Sequence, residues 1–327
     1  MHFFLVLRLL LPVCFTAVLG AQSIAIPHSG YTFDGLSNTF RPVLGVPGAA
    51  MLGEPLELRG ELHSVSICSQ QQFALAAAGR EGVVTLFRLD SLKTTAVSPA
   101  LMTAPDQIEL SPGCTAAAIY SAQANRLQIL TGLPGKPSIS ADLTLDLPAS
   151  ISSLAVSDDG QLAIAAVPRK AVYLLPATGR AVALTPIQRD AVVAMSGNQD
   201  AIVADQFTNT VTLIGSVAVS PVSTVLAGPP GISLPTAVWL DSRTHSIIVA
   251  NSGNGQVSVL PLAGGNSEMV DCHCQLGGLS PLTDRTYQLQ APASDQPLRI
   301  LDLGQASPRV VFVASTEPGS FPKGRRK

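Results

Sequence analysis

The residues best suited to chemistry are few and scattered. Cys272-His273-Cys274 places two thiols and an imidazole side by side, a donor set that holds a soft metal only when a fourth ligand joins it. No second cluster supplies that ligand. The remaining histidines beyond the first twenty-one residues, His28, His63 and His245, share no repeated position. There is no Gly-x-Ser-x-Gly elbow, His-Glu-x-x-His pair or phosphate-cradling Gly-Lys loop. No catalytic constellation and no cofactor are expected.

What remains is a set of short polar residues, Asp34, Asn38, Arg126, Asp205, Asn209, Asn251 and Asn254, and their meaning depends on the elements that hold them. Each sits at or beside a turn between two apolar runs. In Ser246–Asn251 followed by Gln256–Leu260, and in Ala201–Asp205 followed by Thr210–Leu213, a strand, a polar turn and a second strand succeed one another. The second runs alternate apolar and other residues, the period of two expected of a strand. Taking Phe33, Leu75, Ile119, Ile164, Val203, Val249 and Leu289 as markers gives steps of 42, 44, 45, 39, 46 and 40 residues, a spacing that signals a repeat architecture.

A further strand precedes each pair, as at Ile151–Val156, and a fourth apolar stretch follows, as at Val222–Leu226. Four meandering strands per unit predict a β-propeller blade, because blades stacked around an axis bury each sheet against the next. The chain is therefore expected to be all-β, one propeller of seven blades, or six if residues 22 to 58 form an extension. The Gly- and Pro-rich segment from Phe40 to Gly53 is expected where the first blade meets the last.

At Val249-Ala250-Asn251 and Val203-Ala204-Asp205, each followed by a short turn and a strand, the chain resembles the YVTN and NHL type of propeller repeat. That resemblance implies a rigid scaffold, on a fold that also carries lactone hydrolases and antibiotic lyases, and fold alone does not choose among these.

If the blades are as drawn, turns between second and third strands share one rim with the links between blades. That rim gathers the seven polar residues named above, with Arg80, Glu81, Asn125, Arg169, Lys170 and Asp295, as a candidate binding surface for a protein or an extended ligand. Ordinary turn chemistry also places Asn and Asp there. An alternative is a metal-assisted enzyme of the lactonase or lyase kind built on Asp205, Asn251 and His273.

Residues 1–21 carry Arg8 in an apolar stretch ending at Gly20-Ala21, the layout of a cleaved secretory signal. Residues 22–315 would form the propeller outside the cytoplasm, periplasmic or secreted, with no membrane span left after cleavage. Residues 316–327, ending Lys323-Gly324-Arg325-Arg326-Lys327, read as a solvated basic tail. Charged residues are only 13% of the chain and the net charge is −2, which argues against nucleic acid as a partner. An oxidising compartment favours disulfides. Cys68 and Cys114, each just after the first strand of neighbouring units, are the expected pair, leaving Cys272 and Cys274 as a local disulfide or as free thiols.

Overall fold

A computed structural model describes residues 28–35, 37–58, 60–291 and 297–315. Residues 1–21, read as a signal, residues 316–327, read as a basic tail, and Asp295 lie outside the described residues. Among those described there is no helix, and the strands form seven four-stranded sheets. Each of the seven markers falls in one sheet, so the repeat read from the sequence is the blade.

Blades 2 to 7 share one plan. An inner strand faces the axis, a second and a third follow outward, and an outer strand closes the sheet. In blade 2 these are Leu62–Ile67, Phe73–Ala78, Val83–Arg88 and Thr94–Ala96. The second strands are almost wholly buried. Ala116–Ser121 and Leu162–Val167 are buried at every position, since neighbouring blades cover both faces there. Alanine recurs in these strands because blades converge toward the axis and a small side chain lets the sheets approach at packing density. Outer strands such as Val222–Ala227 are mostly exposed.

Seven hydrophobic clusters span the seven interfaces between blades, including the one between Val43 and Ala50 of blade 1 and Leu282, Ile300 and Val313 of blade 7. The ring is therefore closed. The Phe40–Gly53 segment does lie at this closure: Thr39–Leu44 and Met51–Leu52 pack there, and Arg309 of blade 7 donates to the carbonyl of Pro47.

Blade 1 departs from the plan. Its strand order is His28–Asp34, Thr39–Leu44, Met51–Leu52 and then Ala314–Ser315, which pairs in parallel with Met51–Leu52. Asn38, between its first two strands, exchanges hydrogen bonds with the backbone of Leu62 at the start of blade 2. Asn125 and Asn209, in turns between second and third strands, also bond the blade links: the Asn125 side chain donates to the Leu145 carbonyl and the Asn209 side chain accepts from the Leu234 N–H. His28–Asp34 is thus the counterpart of a second strand, and among the described residues blade 1 has no strand inside it.

Candidate functional site

The disc has an upper rim, made by the turns between second and third strands and the links between blades, and a lower rim made by the other turns. Asp34, Asn38, Arg126, Asp205, Asn209, Asn251 and Asn254 all lie at the upper rim, yet they do different work. Asn251 is fully buried. Its side-chain amide donates to the Gln256 carbonyl and the Ser258 hydroxyl, and its oxygen accepts from the Ser233 N–H. Asn38 and Asn209 adopt positive φ, which asparagine tolerates, and tie their turns to the next link. Asp34 pairs with Arg41 at 3.4 Å. Arg126 pairs with Asp142, and this hydrogen bond holds the Asp142 carboxyl below its ordinary range. Asn254 remains exposed.

Asp205 accepts from the N–H groups of Phe207 and Thr208 at 2.6 and 3.1 Å. It therefore stiffens a turn whose tip is Phe207, an aromatic side chain that is 54% exposed. The neighbouring backbone joins this turn to a small basic surface. Gln206 N–H donates to the Asp190 carbonyl, and Arg169 N–H donates to the carbonyl of Arg189. The side chains of Arg169, Lys170 and Arg189 are exposed beside them. In the sequence, Phe207 could have been found as the one aromatic residue standing in a polar turn.

His273 is 86% exposed and pairs with Asp271 at 3.3 Å. Among the described residues no group of three or more His, Cys, Asp or Glu side chains is placed to hold a metal ion. Cys272 and Cys274 are joined as a local disulfide.

The lower rim is stitched from blade to blade. A disulfide joins Cys68 of blade 2 to Cys114 of blade 3, 46 residues apart. Asp158 of blade 4 accepts from Gly113 N–H at 2.6 Å, and Asn198 of blade 5 accepts from Asp159 N–H at 3.2 Å.

Along the axis runs a channel of about 940 Å³. The fold is a seven-bladed β-propeller that resembles WD40 propellers. The chain is similar to the solved structure of U3-55K, with 11% identity, a TM-score of 0.54, and coverage of 79% of this chain and 82% of that one. It is equally similar to the WD40 repeats of RRP9, at 11% identity and a TM-score of 0.54, covering 80% and 84%. No protein-family model matches the chain, and no curated protein does. These likenesses concern fold, which many functions share.

Among the described residues, the charged ones lining the channel are Asp34, Arg41 and Glu109. The first two pair with each other. Glu109 is open to channel water but walled by protein on every side, and that enclosure pushes its carboxyl up to about 7. A carboxyl raised in the folded state keeps its proton where the unfolded chain has lost it, so its effect is a loss of stability as pH rises from about 4.5 to about 7. Because water screens the group, the expected gain from Glu109→Gln is about 1 kcal/mol at pH 8 and none at pH 4. Urea midpoints at the two pH values check this; an equal gain at both would contradict it.

Proposed function

We propose that this protein is an exported, non-catalytic propeller of the YVTN or NHL kind that holds another protein outside the cytoplasm through its upper rim. The observation that carries the reading is Phe207, an exposed aromatic anchor on a turn fixed by Asp205. Binding hot spots are enriched in aromatic and arginine side chains, and Arg169, Lys170 and Arg189 flank this one. A rigid turn also loses little entropy on binding. The cationic side chains favour an acidic patch on the partner.

The test is affinity capture of the protein, cross-linked in its native envelope or medium, against a Phe207→Ser variant. A partner recovered by the wild type and lost at least about tenfold by the variant is expected, the loss of one hot spot. Equal recovery by both, with the variant's circular dichroism unchanged, would remove Phe207 and this reading.

A further inference from the structure

Among the described residues, the channel wall has no inner strand at blade 1. In blades 2 to 7 an inner strand lines the axis, for example Gln107–Leu110, Ser153–Val156 and Ala191–Ser196. At blade 1 the strand that lines it is His28–Asp34, the counterpart of a second strand.

Register shows which of its backbone groups face the channel. Tyr31 stands opposite Pro42 and Phe33 opposite Phe40. Pro42 has no N–H, and its carbonyl accepts from Gly53; the carbonyl of Phe40 accepts from Leu56. Residues 40 and 42 thus turn their groups away from His28–Asp34. In an antiparallel pair the opposing residues Tyr31 and Phe33 then turn theirs the other way, toward the channel.

At the lower end this edge is already capped. Gln71 of blade 2 accepts from Tyr31 N–H at 2.7 Å and donates to the Pro281 carbonyl of blade 7 at 2.8 Å. The Ser29 carbonyl accepts from Thr283 N–H. Above the cap, the Tyr31 carbonyl and the Phe33 N–H have no partner among the described residues. An unpaired strand edge is a template for another strand.

The second observation is independent of the first. The side chain of Glu109, on the inner strand of blade 3, has neither a hydrogen bond nor an ion pair among the described residues. Among the described residues it is the one channel-lining charge without an ion pair, and the lining of the same channel includes Val65, Leu154, Ala194 and Trp239. We infer that the channel takes an extended, basic segment of the partner protein, which lies as an added strand along His28–Asp34 and brings a lysine or arginine to Glu109. A strand satisfies the free edge by main-chain hydrogen bonds, and its side chains then supply specificity. A small organic cation would meet Glu109 and leave the edge unpaired. The Gln71 cap fixes the entry at the upper rim, so the inference rests on the reading of that rim as the docking face.

Panning a displayed library of random twelve-residue peptides against the full protein tests it, with Glu109→Gln and a chain ending at Ser315 as parallel arms. Enrichment of β-forming peptides that carry lysine or arginine is expected. A selected peptide should bind Glu109→Gln at least about tenfold more weakly, the loss of about 1.4 kcal/mol. N-methylation at alternate positions should abolish binding in one register only. The inference is overturned by no enrichment on either the full or the shortened chain, by binders without a basic residue, or by indifference to Glu109→Gln. Binding that appears only once residues 316–327 are removed overturns it as well, by assigning the slot to the chain's own end. Loss of this result while capture still depends on Phe207 would end the channel inference and leave the docking face standing.

Discussion

Replacing Cys68 and Cys114 together by alanine is expected to lower the stability of the protein by about 4 kcal/mol. The disulfide links residues 46 apart, and closing a loop of that length removes much of the freedom of the unfolded chain. Both cysteines lie in the turn after the inner strand of adjacent blades, Cys68 as its first residue and Cys114 as its fourth, and both are buried. Ser69, beside Cys68, donates to the Pro112 carbonyl, so the same junction is bonded twice. Guanidinium unfolding of the wild type, with and without a reductant, against the double variant measures the difference. Reductant should bring the wild type close to the variant. Cys272 and Cys274 are only 2 residues apart, and their removal is expected to cost about 1.5 kcal/mol at most. A larger cost at that pair than at Cys68 and Cys114 would contradict the loop-closure argument.

Asn251→Ala is the second large effect, about 3 kcal/mol of lost stability. The substitution leaves the Ser233 N–H without its acceptor and the Gln256 carbonyl without this donor, at a site closed to water. A buried polar group without a partner pays its full desolvation cost. Asn254, three residues on, is exposed and bonds within its own turn; Asn254→Ala should change stability by less than about 0.5 kcal/mol. Urea midpoints of the two variants separate them, and equal losses would show that Asn251 is not the structural residue its contacts describe.

These two asparagines also show what the sequence could and could not convey. The repeat was legible because second and third strands are the most regularly patterned parts of each blade, apolar throughout or alternating, with a turn of nearly fixed length between them. The upper-rim location of Asn251 and Asn254 followed from that pattern. Their exposure did not, because Asn251 ends the second strand and turns inward against Ser258 of the neighbouring strand, a matter of register that spacing does not carry. Phe207 stands out in the sequence as an aromatic residue in a polar turn, but it is the bonds from Asp205 to the Phe207 and Thr208 N–H groups that fix the turn carrying it. Glu109 reads as an ordinary polar residue in a strand, and its isolation becomes visible once six inner strands and His28–Asp34 are seen to line the same channel. The departure of blade 1 depends on hydrogen-bond direction and on Ala314–Ser315 pairing outside Met51–Leu52, neither of which leaves a mark in a repeat period.

The most direct test of the upper rim as the docking face is hydrogen exchange on the captured complex compared with the free protein. Protection is predicted around residues 168–170, 188–190 and 206–209, with none in the lower-rim turns at 157–161 and 197–199. Protection confined to those lower turns, or to outer strands such as Val222–Ala227, would contradict the account.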